Sequence, residues 1–131
     1  MGQRSYKDLQ VWQKAIDFVT VVYRLTEKFP STETYGLALQ LRRASVSVPS
    51  NIAEGSAKRS SIDFTRFINI ARGSIAEIET QLIIAERLKY ITEIELKSVS
   101  MTLEEINKML FGLGTSLETR NPKLKIITPK L

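Results

Sequence analysis

Between residues 96 and 117 an apolar residue returns every third or fourth position without a miss: Leu96, Val99, Leu103, Ile106, Leu110, Leu113 and Leu117. At 3.6 residues per turn this spacing lines all of them up on one stripe of an α-helix, whereas a strand, with period two, would scatter them over both faces. A helix carrying one apolar stripe has to bury it against other elements, so the rest of the chain must supply partners.

Three further stretches do so. Residues 62–90 place Phe64, Phe67, Ile68, Ala71, Ile75, Ile78, Leu82, Ala85 and Leu88 on one side of a helix. Such a helix is about 40 Å long, enough to traverse a whole domain. Tyr6 to Lys28 lacks Gly and Pro and carries two seams: Leu9, Trp12, Ile16, Val19 and Tyr23 on one, Val11, Ala15, Phe18, Val22, Leu25 and Phe29 on the other. The seams lie about 110° apart, more apolar width than the edge of a monomeric bundle needs. Either a neighbouring helix of the same chain packs across both, or something outside the chain covers the second seam.

The remaining helix begins near Tyr35, after a turn in which Pro30 stops the first helix and Ser31 or Thr32 can cap the next. Leu37, Leu41, Ala44 and Val48 recur at helical spacing. Pro49 then withdraws an amide donor and crowds the carbonyl of Ser45, which predicts a kink or break before the helix resumes through Ser50 to Glu54. Ser45, Ser47, Ser50 and Asn51 can bond the carbonyls freed there. Ser60 or Ser61 is placed to cap the third helix, and Thr92 with Glu95 three residues on forms a capping box for the fourth. Gly114 predicts fraying late in that helix. With no period-two segment and no internal repeat, the chain reads as all-α: an antiparallel four-helix bundle forming one domain over residues 1–117, followed by a flexible basic tail at 118–131.

Which chemistry such a bundle can hold is limited by two absences. Among 131 residues there is no Cys and no His. That removes thiolate nucleophiles, disulfides, cysteine zinc sites and the side chain that titrates most readily near neutral pH, and it argues against an enzyme. A diiron bundle needs Glu-x-x-His pairs, and Glu77 and Glu79 point away from one another on a helix, so no metal and no cofactor is expected. No apolar run is long enough to span a bilayer, and the polar N-terminus lacks a signal-peptide block, which places the expected location in the cytoplasm. Glu79 flanks Ile75, Ile78 and Leu82, where a carboxylate calls for a partner, and Arg42 or Arg43 of the second helix, Arg43 in particular, is the candidate for a structural ion pair.

The net charge of +5 is unevenly distributed. Residues 42–72 carry six basic side chains against two acidic ones, and residues 73–105 seven glutamates against three basic residues. The basic cluster Arg42, Arg43, Lys58, Arg59, Arg66 and Arg72 is the candidate nucleic-acid-binding surface, able to meet phosphates without reading sequence. Aromatic residues outside the apolar stripes are too few for single-strand base stacking.

The blocks Tyr6-Lys7-Asp8-Leu9-Gln10-Val11-Trp12-Gln13-Lys14-Ala15, Arg42 through Gly55 with its Val48-Pro49-Ser50-Asn51-Ile52-Ala53-Glu54 core, and Phe67-Ile68-Asn69-Ile70-Ala71-Arg72-Gly73-Ser74 leading to Leu82 resemble a bacterial family, the small bundle proteins encoded within intervening sequences of 23S ribosomal RNA genes. The resemblance covers residues 6 to about 117. It implies an antiparallel bundle assembling as a homopentamer, with no enzymatic activity and no small-molecule substrate. The family is similar to the accessory protein of diversity-generating retroelements, a basic bundle that works with a reverse transcriptase and RNA, so RNA or a reverse-transcriptase-like protein is the implied partner. Under this reading one seam of the first helix faces the core and the other a neighbouring subunit, with Val11, Phe18, Val22 and Leu25 as the candidate interface. Two classes of function follow: an oligomeric scaffold or adaptor for structured RNA or a protein that handles it, and a self-assembling protein-interaction module with no nucleic-acid binding.

Overall fold

In the computed structural model, which describes residues 5–120, four helices follow one another: α1 (Gln10–Thr26), α2 (Leu37–Ala57), α3 (Ser61–Arg87) and α4 (Glu93–Arg120). Short 3-10 turns at Tyr6–Asp8 and Ser31–Glu33 precede α1 and α2. No strand occurs among the described residues.

Cross-helix contacts set the topology. Ser47 meets Ser74 and Gln40 meets Gln81, so seven residues back along α2 correspond to seven residues forward along α3. Lys14 pairs with Glu105 and Lys28 with Glu95, which makes α1 and α4 antiparallel as well. The helices therefore run up, down, up, down, and α4 closes the ring against α1. The expected antiparallel four-helix bundle is the observed fold.

Its core is drawn from all four apolar stripes. Val22, Leu41, Ile52, Ile68, Ile78, Leu82, Leu103, Ile106 and Leu110 are completely or almost completely enclosed. At about 25 cal/mol per Å² of apolar surface, each such side chain contributes about 1.5–3 kcal/mol relative to exposure, and these terms hold the bundle against chain entropy.

The helix ends show which local signals operate. Ser60 caps α3 by accepting from the Asp63 N–H at 3.3 Å. Thr92 and Glu95 form the reciprocal capping box: the Glu95 N–H donates to Thr92 Oγ1 at 3.0 Å and the Thr92 N–H to Glu95 Oε1 at 2.9 Å. At the C-terminus of α3, Lys89 adopts φ 63°. The Tyr90 N–H then returns to the Ala85 carbonyl and the Lys89 N–H to the Glu86 carbonyl, the paired bonds of a Schellman end.

Four expectations are corrected. α2 is not capped by Ser31 or Thr32; its first turn is closed by Glu33, whose Oε1 accepts from the Leu37 N–H at 3.1 Å. Nor does the helix break at Pro49, because α2 runs uninterrupted from Leu37 to Ala57 with a buried proline inside it. Side-chain donors reinforce the carbonyls around the ring: Ser45 Oγ bonds Arg42 O, Ser50 Oγ bonds Val46 O, and Asn51 Nδ2 bonds Ser47 O, at 2.8–2.9 Å. Packing of α2 against both α1 and α3 then outweighs the local penalty of the ring. Gly114 brings no fraying: it is buried, and α4 continues to Arg120, so the expected tail loses its first three residues to the helix and its remainder lies outside the described residues.

The fourth correction concerns the seams of α1. Val11, Phe18, Val22 and Leu25 are 5%, 2%, 0% and 8% exposed within a single chain. They pack into its own core with Ala15 and Phe29, and none of them is free to meet a neighbouring subunit. The other seam, with Trp12, Ile16, Val19 and Tyr23, is the one left partly uncovered.

Candidate functional site

The structure divides the basic cluster. Lys58 and Arg59 stand exposed in the connection between α2 and α3, and Arg66 stands exposed in the second turn of α3, at the same end of the bundle. Lys58 Nζ lies 5.9 Å from the centre of the Phe67 ring, and Arg66 makes an exposed 3.5 Å ion pair with Asp63. Such pairs are weak and leave the guanidinium available to an anion.

Arg42 and Arg43 belong elsewhere. Sixteen residues of helix separate Arg42 from Lys58, about 24 Å. Arg42 is committed to the fold: its Nε donates to Thr26 Oγ1 at 2.8 Å, and its guanidinium sits 4.6 Å from the centre of the Tyr23 ring. Arg72 is half-buried, with its guanidinium 5.5 Å from the centre of the Phe111 ring on α4 and its Nε lacking a hydrogen-bond partner. The three residues brought together are thus Lys58, Arg59 and Arg66.

The expected ion pair between Arg43 and Glu79 does not form. The ion pairs among the described residues are Lys14 with Glu105, Lys28 with Glu95, Arg66 with Asp63 and Lys108 with Glu104. Glu79 is exposed, so its carboxylate keeps its water and needs no partner, and Arg42 turns toward α1 instead.

A second surface was not assigned from the sequence. Trp12, Ile16 and Val19 of α1 and Val46, Pro49 and Ala53 of α2 line an open apolar groove, bounded at one end by Tyr6, whose ring meets Trp12 edge-on at 5.3 Å. Ile16 remains 37% and Val46 41% exposed there. A signal for the right seam existed: the buried seam runs on to Phe29, while the uncovered one carries Trp12 and Tyr23, side chains suited to a half-wet edge.

Two carboxylates are held below their ordinary range, both for structural reasons. The Leu37 N–H and then the Tyr90 hydroxyl favour ionised Glu33; Lys28 and then the Thr92 N–H favour ionised Glu95. Among the described residues no three acidic side chains gather as a metal site, and no helix is long and apolar enough to cross a membrane.

The family described as "23S rRNA-intervening sequence protein" matches residues 7–112. Among solved structures, a protein of unknown function from the S23 ribosomal protein family of Bacteroides thetaiotaomicron is similar at a TM-score of 0.71 and 27% identity, covering 79% of this chain and 97% of that one. No curated protein matches the sequence.

Proposed function

The chain belongs to the 23S rRNA-intervening sequence protein family, and on that premise we propose that it is a non-enzymatic, self-assembling helical scaffold, a homopentamer that presents repeated basic rims to structured RNA. The observation that carries the reading is the apolar groove between α1 and α2, where Trp12, Ile16 and Val46 remain partly uncovered in the isolated chain. A second copy laid on it removes that surface from water and closes a ring by repetition of one contact. Each subunit then brings Lys58, Arg59 and Arg66 to the same end of its bundle. A single phosphate contact is weak, but identical patches on one assembly raise the effective concentration for the next.

Light scattering at micromolar concentration tests the assembly: a particle several times the 14.9 kDa chain supports it, and a stable monomer overturns it. Ile16→Asp with Val46→Asp, both at exposed positions, should give a folded monomer. Replacing Lys58, Arg59 and Arg66 together by Gln should leave the elution volume unchanged and lower retention on structured RNA, with a weaker salt dependence than the parent shows. If parent and triple variant bind equally, or neither binds, the RNA reading falls and the protein-interaction reading replaces it.

A further inference from the structure

Helical spacing assigns Phe67 to the apolar stripe of α3 together with Phe64, and the structure separates the two. Phe64 packs against the core, whereas Phe67 stands half-buried outside it. Its root is closely held: a Cβ on Gly55 of α2 would come within 2.7 Å of the Phe67 Cβ, so the bare Gly55 backbone is what lets the two helices close there. Lys58 reaches the ring from the α2–α3 connection, with its Nζ 5.9 Å from the ring centre, at the outer limit of a cation–π contact. Lys58 is exposed, so this contact is weak and its ammonium is readily released.

The company of this ring sets it apart from other half-wet apolar side chains. Lys58 and Arg59 stand beside it in the connection, and Arg66 precedes it on α3, about 100° round the helix, so that the guanidinium flanks the ring. Glu54 and Asp63 share this end, with Asp63 answered by Arg66 at 3.5 Å, and the balance stays positive. Cations next to an aromatic face hold a nucleotide in two parts, the phosphate by charge and the base by stacking. A base inside a duplex is stacked on both faces by its neighbours. At a bulge or loop it leaves the stack and can lie on a protein ring instead.

We propose that Phe67 is a base-stacking residue: it takes one unpaired base of a bound RNA on its ring, while Lys58 moves from the ring to the phosphate of the same nucleotide and Arg59 and Arg66 hold the adjoining phosphates. The ligand is thus a structured RNA that carries an unpaired nucleotide, not a continuous duplex. Every base has a π-face, so the presence of the unpaired nucleotide matters and its identity does not. The inference rests on the RNA reading above. Each subunit holds the whole site, so it does not depend on the ring.

The test titrates full-length protein, by fluorescence anisotropy, against one labelled RNA duplex in three forms: fully paired, with a single bulged adenosine, and with the bulged nucleotide abasic. The abasic form keeps the bend and the phosphate and lacks the base. The parent should bind the bulged form at least about fivefold more tightly than the abasic one. Phe67→Leu, which keeps a branched apolar side chain beside Gly55, should bind those two forms alike, and Phe67→Tyr should restore the preference. Equal affinity of the parent for bulged and abasic forms overturns the proposal, as does a preference that survives in Phe67→Leu. The abasic comparison needs no variant, so it decides the matter even where Phe67→Leu does not fold. Binding of all three forms without preference leaves the RNA reading standing and removes Phe67 from it; binding of none overturns both.

Discussion

Gly55 on α2 and Phe67 on α3 approach so closely that a Cβ at residue 55 would stand 2.7 Å from the Cβ of Phe67, with Phe64 Cδ1 at 3.0 Å. The contact is backbone against the root of a side chain, so it cannot be relieved by swinging a flexible end aside. Replacing Gly by Ala in a helix ordinarily gains about 0.5–1 kcal/mol. Overpacking costs about 1–3 kcal/mol, and here it wins. Gly55→Ala should therefore lower unfolding free energy by about 1 kcal/mol or more, whereas Gly73→Ala, with nothing within 4 Å of the new methyl, should raise it by about 0.5–1 kcal/mol. Urea unfolding followed by circular dichroism checks both signs.

Arg42 ties the end of α1 to the start of α2 through Thr26 and Tyr23. The Thr26 hydroxyl accepts from Arg42 while donating to the Val22 carbonyl at 2.8 Å and the Tyr23 carbonyl at 3.1 Å, so removal of the guanidinium leaves its part-buried oxygen without a donor. Arg42→Ala should cost about 1–2 kcal/mol, a charged hydrogen bond and a cation–π contact reduced by partial exposure. Arg42→Lys should recover only part, because an ammonium lacks the planar face that lies on Tyr23. Arg43→Ala, at an exposed residue with no ion pair among the described residues, should change stability by less than about 0.5 kcal/mol in the same urea experiment.

Helix number, order and most caps were legible because each depends on local chemistry: the stripe from Leu96 to Leu117, Ser60 ahead of α3, the Thr92–Glu95 box. What misled was any feature decided by the assembled bundle. Pro49 looks like a break when only its own turn is considered, but α1 and α3 hold α2 in place around it. The cap of α2 escaped notice because Glu33 reaches Leu37 from a 3-10 turn and is steadied by Tyr90, fifty-seven residues away, at 2.8 Å. Two apolar seams on α1 could be found by spacing, but their assignment to core or surface depends on where α2 and α4 cross. Likewise the six basic residues form one group in sequence but not in space, since α2 carries Arg42 and Lys58 to opposite ends and Arg72 lies half-buried against Phe111 of α4.

Stability should depend on acid through Glu33 and Glu95. Both carboxylates are depressed below 4.5 in the folded chain, Glu33 chiefly by the Leu37 N–H and Glu95 chiefly by Lys28. Their contribution is present above the unfolded value and is lost as pH falls through the lower folded value. The urea midpoint should hold from about pH 7 to 5 and decline below 4.5, and Glu33→Gln should flatten part of that decline. At the alkaline side the Glu33 carboxylate raises the Tyr90 hydroxyl above 10.0, so its contribution persists to that pH and fades as pH rises through the higher folded value. Ultraviolet titration of the Tyr90→Phe difference spectrum should place the group above an ordinary tyrosine.

Trp12 is the chain's one tryptophan and lines the groove between α1 and α2, which makes its fluorescence a direct report on what covers that groove. In the isolated bundle the indole is half-buried against Tyr6, with Ile16 exposed one turn on. If a second copy seals the groove, emission should shift to shorter wavelength as protein concentration rises and subunits associate, and acrylamide should quench it less. Ile16→Asp puts a carboxylate where an apolar partner would sit, and desolvating that charge opposes association. The variant should show a longer-wavelength emission that does not change with concentration, while its circular dichroism stays that of the parent. A parent spectrum independent of concentration, at a mass that light scattering shows to vary, would mean that subunits meet through some other surface than the one Trp12 lines.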